Sequence, residues 1–127
     1  MHSTNYTSTL ITVSADCPVT GATPPAKPGT VAERQFALLA AHPYRMTSDD
    51  LLLAVENDRK GPVTAEAFFA KPQACLRASP LVKKHGYGLH HDTNGCVALV
   101  PMESDDYARL LADMSVTKRP GMRSSRA

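Results

Sequence analysis

The sequence predicts a small α+β domain, and three observations carry that expectation. Thr9 to Ser14 reads Thr-Leu-Ile-Thr-Val-Ser, the β-branched alternation of a strand. Three segments with helical apolar spacing follow, each opened by a capping residue and closed near a proline or glycine. A short Ser-Pro helix then runs into two strands joined at Asn94-Gly95, the strongest local sign of a hairpin. Helices set apart from a few strands give an α+β domain rather than a βαβ repeat, and no internal repeat is present. The expected sheet is small and antiparallel, with strands near 9–14, 87–91 and 96–100. About four helices cover it.

The chain of 127 residues fits one domain. At this size roughly two-thirds of the unfolded surface becomes buried, so neither metal nor disulfide is needed for stability. Residues 1–118 read as that domain, and 119–127 as a basic, frayed tail. The apolar content of 43% excludes a disordered chain. A net charge of +2 is too small to imply a polyanionic partner by itself.

Asp16-Cys17-Pro18 closes the first strand, and the proline-rich stretch 19–29 has no apolar period and reads as a surface connection. Thr30 and Glu33 have the form of a capping box before a helix with Ala32, Phe36, Leu39 and Ala40 on one face, which Pro43 stops near His42. Thr47-Ser48-Asp49-Asp50 opens a second helix, its acids favoured at the positive end of the dipole. Leu51, Leu52 and Val55 form its stripe, and Gly61-Pro62 ends it. Thr64 caps a shorter helix carrying Phe68 and Phe69.

Ser79 is a good N-cap, and Pro80 falls at the first helical position, where its missing N–H costs nothing. Gly86 suits the left-handed residue after that helix. From Tyr87 to His91, Tyr87, Leu89 and His91 share one face, and Gly88 and His90 the other. Cys96 to Val100 is apolar on both faces, which predicts a covered, interior strand that Pro101 ends. Ser104-Asp105-Asp106 starts a last helix with Tyr107, Leu110, Leu111 and Met114 at helical spacing, and Val116 to Lys118 suits a short edge strand.

No apolar run approaches the length of a membrane span, so no membrane partner is expected. The N-terminus lacks the basic and apolar regions of a signal peptide. With three widely spaced cysteines, Cys17, Cys75 and Cys96, this predicts reduced thiols and a cytoplasmic protein.

Several strings together carry a resemblance: Met1-His2-Ser3-Thr4-Asn5-Tyr6, Asp16-Cys17-Pro18, Thr47-Ser48-Asp49-Asp50, Cys75-Leu76-Arg77-Ala78-Ser79-Pro80-Leu81 and Gly86-Tyr87-Gly88-Leu89-His90. The chain resembles, over nearly its whole length, a family of small microbial proteins known only as a domain of unknown function. That family's pattern has Trp before the second glycine of the Gly-x-Gly step, where Tyr87 stands here, and the loop between the second and third helices is shorter and less acidic here. The resemblance implies a single cytoplasmic domain and brings no activity, substrate or catalytic residue with it.

The residues themselves offer several chemistries. Lys71, Arg77, Lys83, Lys84 and His85 form a basic cluster, with Tyr87 and His90 close in sequence. Arg77 can fork onto a phosphate or carboxylate, the amides at Ser79 add donors, and Gly86 and Gly88 let a ligand approach the backbone. The expected ligand-binding set is therefore Arg77, Ser79, Lys83, Lys84, Tyr87 and His90. The plainer reading is a solvated helix end whose cations complement the dipole.

Nucleic-acid binding would add Lys118, Arg119, Arg123 and Arg126, with Tyr87 for stacking, but aromatics are few and no recognised motif is present. A metal would draw on His90, His91, Asp92 and Cys96, yet adjacent histidines on a strand point to opposite faces. No metal site and no cofactor are expected.

Nucleophilic catalysis would use Cys75 or Ser79 with His85 or His90 as base, but no nucleophile signature surrounds them. Cys75 and Cys96 serve as well as small buried apolar residues. The paired acids Asp49-Asp50 and Asp105-Asp106 sit where helix starts favour them.

The reading that follows is a non-catalytic cytoplasmic binding or accessory module with a small anion or phosphate site at the Arg77–His90 junction. The alternative is a small enzyme using Cys75 or His90. A third is a homo-oligomer whose interface covers the hairpin or the Phe68-Phe69 helix.

Overall fold

A computed structural model describes residues 3–124. In chain order the elements are β1 (Thr9–Thr12), α1 (Val31–Ala41), α2 (Ser48–Lys60), α3 (Ala65–Phe69), a 3-10 turn (Leu76–Ala78), α4 (Pro80–Lys84), β2 (Tyr87–His91), β3 (Val97–Pro101), α5 (Asp105–Ala112) and β4 (Thr117–Pro120). The strand order is β3-β2-β1-β4. β2 pairs antiparallel with both β3 and β1, but β4 runs parallel to β1. The sheet is thus mixed rather than wholly antiparallel. The reason is that α5 carries the chain from β3, at one edge, past two strands to the other edge, and delivers it alongside β1.

The register sorts the side chains. Ile11, Leu89 and Leu99 lie abreast, as do Leu10, His90 and Ala98 one residue along. Adjacent residues of a strand face opposite ways, so Ile11, Tyr87, Leu89, His91, Val97 and Arg119 share one face. On that face Ile11, Leu89 and Val97 form the main core with Leu39, Leu51, Leu76 and Leu81 from the helices. On the other, Leu10 and Val100 meet Leu110, Val116 and Tyr107 of the α5 region. Burying one such Leu or Val stabilises the fold by about 1.5–3 kcal/mol.

Gly88 is where α5 comes closest, because a Cβ there would lie 2.7 Å from the Tyr107 ring. At the hairpin, Gly95 has φ of 82°, and Asp92 accepts from the amides of Asn94 and Cys96. Positive φ is what the Asn-Gly pair supplies.

Local rules account for most helix ends. Thr47 and Asp50 form a full capping box, and Thr64, Ser79 and Ser104 cap their helices through their hydroxyls. At α1, Thr30 accepts from the Glu33 amide, but the Glu33 carboxylate accepts from Gly29 and pairs with Arg34 instead.

Three further expectations change. β1 stops at Thr12 because the next amide, that of Val13, donates to the Tyr107 hydroxyl at 3.0 Å, and that of Ser14 to Val82. β3 spans Val97 to Pro101 and is an edge strand by order, not an interior one. It is nonetheless covered: Tyr44 and Met46 bond to Val97 along its outer side, and Thr47 bridges to Cys96. Pro101 is its last residue, where the missing donor is tolerated. Last, 119–124 belong to the folded unit, since Arg119 and Pro120 lie in β4 and the amides of Gly121, Met122 and Ser124 bond to Thr12, Arg77 and Asp16. Arg126, the rest of the tail, and Met1 and His2 of the N-terminal string lie outside the described residues.

Candidate functional site at the Tyr6, Cys75 and arginine corner

The residues expected to bind a ligand do not meet in one place. Ser79 is buried: its Oγ accepts from the Leu81 amide at 3.1 Å and donates to Gln35 Oε1 at 2.6 Å. Tyr87 is a core residue, its ring 5.4 Å from that of Phe36, and burial raises its phenol pKa, with Glu103 adding to the effect. Lys83 and Lys84 occupy the last turn of α4 and form no ion pair among the described residues.

His90 lies on the α5 face of the sheet, where its Nδ1 shares a hydrogen bond of 2.8 Å with the Tyr44 hydroxyl. Burial lowers its pKa, and nearby Asp92 opposes that. The sheet therefore separates His90 from Tyr87 and from Cys75, so His90 cannot serve Cys75 as a base. His85, the other base considered, sits 3.1 Å from the Thr23 carbonyl. Lys118 directs its ammonium to the carbonyls of Asp113 and Val116.

Arg77 is the one residue of the expected ligand-binding set that joins a cluster; the candidate nucleophile Cys75 lies in it too, and Tyr6 and Arg119 come from distant parts of the chain. Tyr6 donates its hydroxyl to Cys75 Sγ at 3.2 Å. The Arg119 guanidinium stands over the Tyr6 ring, 5.4 Å from its centre, a cation–π distance. Arg77 donates from Nε to the Pro120 carbonyl at 2.7 Å, which brings its side chain beside Arg119. Burial raises the Tyr6 pKa, and its bond to Cys75 raises it further, while Arg77 and Arg119 both pull it down. Among the described residues neither arginine pairs with a carboxylate. The corner thus holds two cations, a phenol and a thiol, with no paired acid.

The N-terminal segment is fixed so that Tyr6 can reach this corner. Asp49, buried at the start of α2, accepts from the Thr4 amide at 2.8 Å, the Thr4 hydroxyl at 2.7 Å and the Ser3 hydroxyl at 3.0 Å. Asn5 Oδ1 accepts in return from the Asp49 amide. Asp50 does the helix capping, which frees Asp49 for this second task.

Beneath Tyr6 lies His91, fully buried, its ring 5.5 Å away and edge-on. Neither of its ring nitrogens has a hydrogen-bond partner among the described residues. Burial, and secondarily the neighbouring His90, lowers its pKa to about 4.

Beside Cys75 is a hollow of about 160 Å³ with mainly apolar walls, including Val31, Leu52, Ala74 and Pro80, and with Gln35 and Ser79 also on its wall. A second hollow of about 320 Å³ between α2 and α3 carries Lys60 and Lys71, but Glu56 shares it. No group of three or more possible metal ligands occurs among the described residues, and no described helix is long and apolar enough to cross a membrane.

Sequence reasoning missed Tyr6, Arg119, Gln35 and His91 as members of this neighbourhood. The available signals were the Asn-Tyr end of the first resemblance string and a polar Gln35 among the apolar positions of α1. Arg119 falls in the stretch that reads as a frayed tail, and no local pattern ties it to Cys75.

A family model described as a family of unknown function (DUF6157) matches residues 1–127. No curated protein and no solved structure matches the chain.

Proposed function

The chain belongs to this family of unknown function, and from its own residues we propose that it is a non-catalytic cytoplasmic binding module that takes a small anion at the Tyr6, Cys75, Arg77 and Arg119 corner. The observation that carries the reading is that Arg119 stands over the Tyr6 ring and Arg77 is tied to the adjacent Pro120 carbonyl, with no carboxylate paired to either among the described residues. An oxyanion there gains charge-assisted bonds from planar donor forks. The reading keeps Arg77 from the expected set and replaces Tyr87 and His90 with Tyr6 and Arg119. Three free thiols suit a reducing compartment.

The test is stability in inorganic phosphate. At a hundredfold excess over its dissociation constant a ligand adds about 2.7 kcal/mol. The expected gain shrinks as sodium chloride screens the corner, and it disappears in the Arg77→Gln/Arg119→Gln double variant. Equal stability with and without phosphate at low salt refutes the reading.

The second reading, a small enzyme, is favoured by one observation, the Tyr6 hydroxyl aimed at Cys75 Sγ beside two cations. If it holds, iodoacetamide labels Cys75 faster than an unfolded control and more slowly in Tyr6→Phe. A Cys75 that resists alkylation in the folded protein removes it.

A further inference from the structure

We propose that the hollow between α2 and α3 is a second site, and that it takes a free α-amino acid with an apolar side chain. The site stands apart from the arginine corner, since neither Tyr6, Cys75, Arg77 nor Arg119 lines it.

The hollow follows from how the chain turns after α2. Asn57 fixes that turn: its carbonyl accepts from the Gly61 amide at 3.0 Å and its Oδ1 from the Val63 amide at 2.9 Å. Thr64 then caps α3. Phe69 enters the core, while Phe68 stays half-buried on the wall of the hollow, its ring 4.9 Å from that of Phe69. Lys71 and Gln73 line the hollow from the segment after α3. The volume of about 320 Å³ falls at the low end of small-molecule sites, about 300–1,000 Å³.

Charges of both signs share this wall, and they are poorly matched to each other. Glu56 and Lys60 lie one turn apart on one face of α2, yet they approach only to 4.0 Å, too far for a hydrogen bond. The Glu56 side chain is 29% exposed against 67% for Lys60, so the carboxylate is the more covered of the two. Lys71 forms no ion pair among the described residues. Gln73 donates from Nε2 to the Phe68 carbonyl at 2.8 Å, which assigns its amide orientation and leaves Oε1 without a donor among the described residues.

Two ammoniums and two acceptors therefore line one hollow, with Val63, Ala67 and Phe68 as its apolar part. A simple anion meets the Glu56 carboxylate there, and a simple cation meets two lysines. A ligand carrying both charges on adjacent groups satisfies both sets. In an α-amino acid the carboxylate goes to Lys60 and Lys71, the ammonium to Glu56 and Gln73 Oε1, and the side chain to Phe68.

The experiment removes one charge of the ligand at a time. Dissociation constants are measured by calorimetry on the full chain at low salt for L-leucine, N-acetyl-L-leucine, L-leucinamide and glycine. Losing either charge is expected to weaken binding roughly tenfold, and losing the side chain, as in glycine, by roughly tenfold or more. Glu56→Gln is expected to weaken leucine and leucinamide and to spare N-acetylleucine. Lys71→Gln is expected to weaken leucine and N-acetylleucine and to spare leucinamide. The Arg77→Gln/Arg119→Gln variant is expected to bind leucine as the wild type does.

No binding of leucine overturns the proposal, as does N-acetylleucine or leucinamide binding as tightly as leucine. Leucine binding that the double arginine variant abolishes overturns the placement. None of these outcomes touches the anion reading, which stands or falls on phosphate at the corner. The comparison of ligands needs no variant, so a substituted chain that fails to fold does not blunt the test.

Discussion

His91 makes the strongest quantitative prediction. Its side chain is fully buried, both ring nitrogens lack partners, and its pKa falls from an ordinary 6.5 to about 4. Above pH 6.5 the imidazole is neutral in the folded and unfolded chains alike and contributes no pH dependence. Between 6.5 and 4 the unfolded chain takes up a proton that the folded chain refuses. The unfolded state then binds more protons, so stability is lost as the pH falls. At about 1.36 kcal/mol per pH unit, the full loss across this window is about 3 kcal/mol, a large share of a domain's total stability.

The perturbation is His91→Leu, and the assay is urea unfolding of both proteins from pH 7.5 to 4. Other titrating groups, including half-buried His90 and the carboxylates of Asp92 and Glu33, are present in both proteins and largely cancel in the difference. Between pH 6 and 4.5 the wild type should lose about 2 kcal/mol more than the variant. At pH 7 the variant should be at least as stable. It removes an unpaired buried polar ring, a gain of about 1–3 kcal/mol, against an aromatic contact with Tyr6 worth about 0.5–1.5 kcal/mol. Parallel stability curves for the two proteins would refute the reasoning, because they would mean that the folded state protonates His91 where it sits.

Three further outcomes follow from the packing. Gly88→Ala places a methyl group 2.7 Å from the Tyr107 ring and 3.2 Å from the Ile11 carbonyl, so it should cost about 1–3 kcal/mol in urea unfolding as α5 is pushed off the sheet. Asp49→Ala strands the Thr4 amide and leaves the Thr4 hydroxyl only its bond to Ser48, so it should cost about 1–3 kcal/mol. Hydrogen exchange at Thr4 and Tyr6 should quicken in that variant, and phosphate should bind it more weakly. Ser79→Ala removes a helix cap and leaves Gln35 Oε1 buried without its donor, a loss of about 1–2 kcal/mol by thermal unfolding.

The fold class could be read from the chain because its signals are local. Caps at Thr47, Thr64, Ser79 and Ser104 act within one turn, and Asn94-Gly95 specifies a hairpin by backbone conformation alone. What failed depended on pairing between distant segments. The direction of β4 follows from how α5 crosses the sheet, and the cover over β3 comes from Tyr44 and Met46, about fifty residues away. The strand Cys96 to Val100 looks interior because both its faces are indeed covered, but the faces of a strand say nothing about who bonds along its edges.

The same distinction governs the site. A strand's alternation already put Tyr87 and His90 on opposite faces, which is incompatible with one pocket formed by both. Closeness in sequence suggests a basic junction, whereas the sheet acts as a wall through the middle of it. Arg77 is tied to the strand that carries Arg119 by the Met122 amide on its carbonyl and by its own Nε on the Pro120 carbonyl, contacts that depend on β4 pairing with β1. Tyr6 reaches them only because Asp49, whose partner acid already caps α2, holds the N-terminal segment against that helix. A site assembled from chain positions near 6, 75 and 119 has no short motif to betray it. His91 packs edge-on beneath Tyr6, so a folded state that charged this histidine would also disturb the phenol above it.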